Sequence, residues 1–269
     1  MTDHSTVQPG AEAWTANGSG DRAATAVVLV HGFTGNPKAT RPLGEMLNDA
    51  GFSVDVVRLP GHGTSPKDMG TTRWSHWRTA VTHALDRALG EHDRVILLGH
   101  SMGGTLTLDL AAHRDDIAAA IVINPLIAAP PNPLAKVAPI LQHLLPMVSR
   151  SVAGMPTDDI ARPDVSEDAY PRVSTKASQS LLEALGPVRA DLAMLTVPLL
   201  VVSSRVDHTV DPVNSDILVD EVGSSDVQRV MLERSWHVPQ LDWEREEVEQ
   251  AVRDFVVGVH EAAVEVAAT

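Results

Sequence analysis

The chain contains no cysteine, which removes disulfides, thiolate metal sites and thiol nucleophiles in one step. Aromatic side chains make up only 3% of the 269 residues, so a core has to be built from Leu, Val, Ile and Ala. Cations are in the minority, 21 Lys and Arg against 35 Asp and Glu, for a formal charge of −14. A surface of that sign repels phosphate backbones and anionic headgroups and argues against nucleic acid as a partner. No apolar run approaches the length of a membrane span, so no stable insertion into a membrane is expected. Residues 1–26 are polar and Gly-rich, carry Asp3, Glu12 and Asp21, and lack a basic start followed by an apolar run. No signal peptide is read there, and the expected location is the cytoplasm. What remains is a chain that is 43% hydrophobic, enough for a sizeable core and too much for disorder. Its length suits a single domain over 1–269, as a monomer or homodimer.

Apolar runs and helical patterns alternate along most of the chain. Ala26–Val30 reads as a buried strand, and Pro37 to Ala50 as a helix with Gly51 as its stop. Phe52–Leu59 is a second strand. Trp74 to Leu89 steps Trp77, Val81, Leu85 and Ala88 along one helix face. Arg94–Leu98 is a strand, Gly104 to His113 a helix, and Ile117–Ile123 a strand. The alternation then breaks. Nine prolines fall from Pro125 to Pro171, although Leu134, Val137, Leu141, Leu144 and Val148 keep helical spacing. This stretch, about 125–175, reads as a small cap inserted over the sheet, closed by a helix at Ser178–Leu185. Pro198–Ser203 and Val227–Leu232 are the last strands, and Glu244 to Val259 a terminal helix. The first twenty or so residues are a lead-in with room for an edge strand. Apolar strands separated by helices imply a mostly parallel central sheet covered on both faces, with ligands beyond the carboxyl ends of the strands.

Four of the loops at those ends carry chemistry. Gly99-x-Ser101-x-Gly103 follows Val95–Leu98 and opens a helix. A serine hydroxyl is a weak nucleophile that must be exposed beside a base. A sharp strand-to-helix turn does this, and small residues two before and two after relieve crowding. An ordinary Gly-rich turn is the bland alternative, and the strand before and helix after disfavour it. An oxyanion needs two backbone donors: the residue after the nucleophile, Met102, and Phe33 in the His31-Gly32-Phe33-Thr34-Gly35 loop. His31 reads as a buried brace for that loop, and His62 and His100 read as structural. The acid should follow a late strand and precede the base. Asp207 fits, whereas Asp211 before Pro212 is better explained as a helix cap. His208 is expected to face solvent. His237, 30 residues past Asp207, is the base, while His260 falls too late to reach that sheet edge. These roles describe acyl transfer through Ser101 on the α/β-hydrolase fold, with no metal or cofactor called for.

The segments LVHGFTGNPKATRPLGEMLNDAGF, RLPGHGTSP, GHSMGG, SSRVDHTVDP and SWHVPQLD together resemble the bacterial monoacylglycerol lipases and the related carboxylesterases, over roughly residues 25–260 and weakest at 125–170. The resemblance matches Ser101, Asp207 and His237 to the triad, and Phe33 and Met102 to the oxyanion donors. It implies a small-molecule ester substrate, a monoacylglycerol or a short-to-medium acyl ester, and an apolar acyl tunnel under the cap to which the Leu and Val residues of 134–148 would contribute. In these lipases a cap carboxylate helps to seat the glycerol. Asp164 stands beside the expected place, next to Pro163, and Asn124 after its strand is a second expected substrate contact. Thioester cleavage, perhydrolysis and C–C bond hydrolysis are alternatives on the same three groups. A non-catalytic binding protein would have no need of all three.

Overall fold

A computed structural model describes residues 6–129, 145–151, 153, 156 and 158–267. Nine strands are seen among them: β1 (Trp14–Ala16), β2 (Thr25–Val30), β3 (Ser53–Val57), β4 (Arg94–His100), β5 (Ala119–Ile123), β6 (Met147–Ser149), β7 (Arg172–Ser174), β8 (Leu199–Ser204) and β9 (Val227–Leu232). The helices are α1 (Arg41–Asp49), α2 (Pro66–Met69), α3 (Trp74–Glu91), α4 (Met102–His113), α5 (Thr175–Ala190), α6 (Val213–Glu221) and α7 (Arg245–Ala267). Seven strands form one sheet in the order β1-β3-β2-β4-β5-β8-β9. Only β1 runs antiparallel, as an edge strand pairing Trp14 with Val56. The other pairings in this sheet are parallel.

Side chains of a strand alternate between faces, and the core splits accordingly. Val28, Val30, Leu97, Val122 and Val201 join Trp77, Val81 and Leu85 of α3, Leu106 of α4 and Leu181 of α5. Val27, Leu29, Ile96, Leu98, Ile121 and Val202 join Leu43 and Leu47 of α1 and Val248, Val252 and Phe255 of α7 on the other face. Both faces are covered, which is why the strands read as unbroken apolar runs.

Local chemistry moves several boundaries. The helix expected over 37–50 is two pieces, a 3₁₀ turn at Pro37–Ala39 followed by α1. Asn36 caps the first piece by accepting from the Lys38 N–H. Pro42 then lacks the N–H that a continuous helix would need there. The helix expected at 178–185 runs from Thr175 to Ala190, because Ser174 caps it by accepting from the Ala177 N–H. Between β5 and α5 the described residues hold the antiparallel pair β6–β7, with Val148 opposite Val173. Val148 thus sits on a strand and not on the helical stripe read from the sequence. Leu134, Val137, Leu141 and Leu144 of that stripe lie outside the described residues.

Register sets up the site. Val30 pairs with Gly99, Gly99 with Val122, Val122 with Val201, and Val201 with Arg229. These five residues form one row across the sheet. Residues 31–33, 101–102 and 124 follow that row by one to three positions, and 207 and 237 lie in the loops after β8 and β9 at the same carboxyl edge.

Candidate active site

The turn at Ser101 is enforced by sterics. Its φ of 54° lies in the left-handed region that a residue with a side chain seldom adopts. A Cβ on Gly99 would collide with the Gly103 carbonyl, and one on Gly103 with the Val30 carbonyl oxygen. Glycine is required at both positions so that β4, α4 and β2 can meet. A Cβ on Gly32 would lie 3.2 Å from the Ser101 Cβ, so the loop after β2 packs directly on the turn. The Ser101 N–H is fixed to the Ile123 carbonyl at 2.9 Å. Met102 begins α4. Among the described residues, no group accepts from the Phe33 or Met102 N–H, which leaves both free to donate to an oxyanion.

His237 Nδ1–H donates to Asp207 Oδ2 at 2.7 Å. The other Asp207 oxygen accepts from the Thr209 and Val210 N–H groups at 2.8 and 2.7 Å. Burial pushes the Asp207 carboxyl up, but the His237 charge and these hydrogen bonds hold it below the usual carboxylate range. For His237, burial favours the neutral ring. The Asp207 charge and hydrogen bond, with Glu167 and Asp159 behind them, more than offset this and raise its pKa above the ordinary 6.5. Asp211 sits elsewhere, with its carboxylate accepting from the Val213 N–H at the start of α6.

The His100 ring, one residue before Ser101, packs against the His237 loop. Its Nε2–H donates to the His237 carbonyl at 2.8 Å, and the two rings lie 4.8 Å apart. Burial and the His237 charge lower its pKa to about 3, so it stays neutral. Ser101, the next residue, makes no hydrogen bond to His237 in this structure, and neither Ser101 Oγ nor His237 Nε2 is engaged by another described group. Unliganded sites commonly hold this contact open until substrate closes it.

Asn124 has a role other than the expected one. It follows β5 with φ 45° and is buried. Its Nδ2 donates to Ser204 Oγ and to the His237 carbonyl, both at 3.0 Å, and its Oδ1 accepts from the Ser204 N–H at 2.7 Å. With these atoms engaged inside the protein, Asn124 ties β5, β8 and the His237 loop together and has little left to offer a substrate. Asp164 lies outside the cluster, exposed and paired with Arg162 at 2.9 Å. His208 is half-exposed but not simply solvent-facing, since its ring pairs with Asp159 at 2.9 Å. His31 donates from Nδ1 to the Gly32 carbonyl and accepts from the Leu59 N–H, bracing the Phe33 loop. His260 bonds Thr25 at the opposite end of β2.

Sequence reading missed the groups that hold Arg150 and residues 158–170 over this edge. Glu167 is buried, and its carboxylate oxygen lies 3.1 Å from where a Cβ on Gly35 would stand. No described group donates a hydrogen bond to that carboxylate. Burial raises its pKa despite the nearby Arg150 and His237 charges. Asn36 grips the Glu167 carbonyl at 3.1 Å, and the Tyr170 N–H donates to the Thr34 carbonyl at 3.0 Å. The buried Arg150 guanidinium donates to Thr34 Oγ1 and to the Pro156 carbonyl.

A family model described as serine aminopeptidase, S33 (Hydrolase_4) matches residues 21–244. The chain belongs to the Hydrolase_4 family. Among relatives, this Hydrolase_4 member is 34% identical to a thermostable monoacylglycerol lipase of Bacillus sp. (strain H-257), over 91% of this chain and 94% of the lipase. It is 30% identical to a carboxylesterase of Bacillus subtilis (strain 168), over 88% and 93% of the two chains. A structure reported with the metagenome-derived lipolytic enzymes LipS and LipT superposes with a TM-score of 0.86 at 29% identity, covering 94% of this chain and 100% of that one. The monoacylglycerol lipase of Paleococcus ferrophilus superposes with a TM-score of 0.77 at 25% identity, covering 92% and 99%. The fold is that of the α/β-hydrolases.

Proposed function

We propose that this protein is a serine hydrolase that cleaves carboxylic esters, monoacylglycerols or short-to-medium acyl esters, through an acyl-enzyme on Ser101. The observation that carries the reading is the 2.7 Å bond from His237 Nδ1–H to a buried Asp207, beside a serine held at positive φ. That bond fixes the imidazole tautomer and leaves Nε2 as the basic nitrogen. Nε2 takes the Ser101 proton as Oγ attacks the ester carbonyl. The Phe33 and Met102 N–H groups bind the oxyanion that forms. Nε2–H then protonates the leaving alcohol. A water, deprotonated by the same nitrogen, releases the acid and restores Ser101.

Glu167 is the buried carboxylate best placed for the head group of a monoacylglycerol. It carries no hydrogen bond from a described group and shares an electrostatic neighbourhood with His237. Free glycerol hydroxyls would donate to it. The names of the relatives favour esters over thioesters, peracids or C–C bonds.

The test is a chain-length series of monoacylglycerols beside p-nitrophenyl esters, with aminoacyl p-nitroanilides as the peptidase control. Ser101→Ala should lose about three orders of magnitude or more in kcat. Glu167→Gln should raise KM for monoacylglycerols and leave p-nitrophenyl butyrate unchanged. Unchanged ester turnover in Ser101→Ala, or labelling by a serine-directed phosphonate on a peptide lacking Ser101, would overturn the assignment.

A further inference from the structure

The Asp207–His237 bond joins two loops on different strands, and neither loop fixes the other by chain connection. A third segment touches both. Asp159 lies before β7 and is 1% exposed. Its Oδ2 accepts from the His208 N–H and from Thr209 Oγ1, each at 2.9 Å, and its Oδ1 meets His208 Nδ1 at 2.9 Å. Its main-chain carbonyl accepts from the Val238 N–H at 3.2 Å. One residue therefore holds the two positions after Asp207 and the position after His237. Thr209 is shared, because its N–H donates to Asp207 itself. The stitching continues two residues on. The Ala161 and Arg162 N–H groups donate to the Asp242 carboxylate, which also accepts from the Trp236 N–H at 2.9 Å. The Trp236 ring closes edge-on against His208 at 4.7 Å.

We infer that Asp159 is a positioning residue that locks the acid loop and the base loop at the separation their hydrogen bond requires. The inference rests on the triad reading above. A catalytic hydrogen bond has to be held within about half an ångström, and a displacement of about 1 Å costs on the order of a hundredfold in rate. Asp159 is suited to the task because it is buried, fully bonded and drawn from an element outside both loops. The charged and titratable groups facing His237 are Asp207 from the loop after β8, His100 from the end of β4, and Glu167 and Asp159 from the segment before β7. Removing the Asp159 charge takes away one of three anions that favour the imidazolium.

Asp159→Asn should lower kcat on p-nitrophenyl butyrate by about ten- to a hundredfold with KM changed less than about threefold. The acid limb of kcat/KM should move to lower pH, a change that looser packing alone would not produce. The double variant His208→Ala/Thr209→Val keeps the charge but removes its two side-chain partners, leaving only main-chain donors. It should lose kcat to a similar degree with the limb in place, and it decides the matter if Asp159→Asn does not fold. Wild-type kcat in either folded variant overturns the inference, as does a kcat loss in Asp159→Asn with an unmoved limb. His237→Ala in the same assay separates the two levels. If it is inactive while Asp159→Asn is normal, only the positioning role fails. If His237→Ala is active, the triad reading falls as well.

Discussion

Lowering the pH from about 7 to about 5 should destabilise this protein through histidines that cannot accept a proton where they sit. Burial and the His237 charge lower the His100 pKa to about 3. Burial lowers His62 to about 4. In the unfolded chain both return to the ordinary value of 6.5. The unfolded state therefore takes up protons first as the pH falls through 6.5, and stability present above that value is lost on the way down. Integrated over the two pH units, each histidine costs about 2 kcal/mol, or about 4 kcal/mol for the pair. His31, held well below the ordinary value by burial, acts in the same sense. His237 acts in the opposite sense, because its folded pKa is raised. Its contribution is present below 6.5 and fades as the pH rises through the folded value. The net loss is a large share of a total stability of about 5–15 kcal/mol and corresponds to a melting temperature lower by roughly 10 °C. Thermal melts followed by circular dichroism at constant ionic strength measure it. His100→Asn can keep a donor near the His237 carbonyl while removing one titrating group, and its melting temperature should fall less steeply with pH. Equal wild-type melting temperatures at both ends of the window, or an unaltered slope in His100→Asn, would refute the reasoning.

Other outcomes follow from the same geometry. The acid limb of the kcat/KM profile should lie above the ordinary histidine value of 6.5, because activity needs neutral His237 and its pKa is raised. Asp207→Asn should lower kcat by about four orders of magnitude, measured on a soluble ester, as the ring loses its enforced tautomer. Gly103→Ala should abolish accumulation of folded protein, since its Cβ would enter the Val30 carbonyl. Soluble yield and far-UV circular dichroism report this. Asn124→Leu leaves the Ser204 N–H without its acceptor and takes one donor from the His237 carbonyl. It should cost about 2–4 kcal/mol in denaturant melts.

What could be read from the sequence was what is local. The buried strands showed themselves as apolar runs, because both faces of β2, β4, β5 and β8 are covered. The turn at Ser101 announces itself because its sterics demand glycine within two residues on each side. Asp207 could be separated from Asp211 because Pro212 gives the latter a second explanation. What could not be read depends on distant contacts. Asn124 is polar, follows a strand and points to a ligand by type. Only the fold shows that Ser204 and His237 already occupy its amide. The sequence pattern puts the expected cap carboxylate at Asp164, beside Pro163. Glu167 stands three residues on, placed by Asn36 across a separation of 131 residues. Asp159, Asp242 and Arg150 left no periodic signal at all, because their partners lie in other loops.

The edge of the sheet carries three non-glycine residues at positive φ, namely Thr34, Ser101 and Asn124, after β2, β4 and β5 in turn. Such conformations cost about 1–3 kcal/mol each and persist only when their surroundings over-determine them. The sheet alone does not supply that. Thr34 is held by the Tyr170 N–H and by Arg150, both from the segment over the edge. Asn124 is held by Ser204 and the His237 loop. The loop that carries Asp207 is held by Asp159. Strain at the loop after β2 and alignment of Asp207 with His237 thus draw on Arg150 and residues 158–170, which the strand-and-helix pattern leaves looking like an interruption. A substitution there that leaves the α/β core intact can still unseat the chemistry. The site should therefore lose rate before the protein loses its fold.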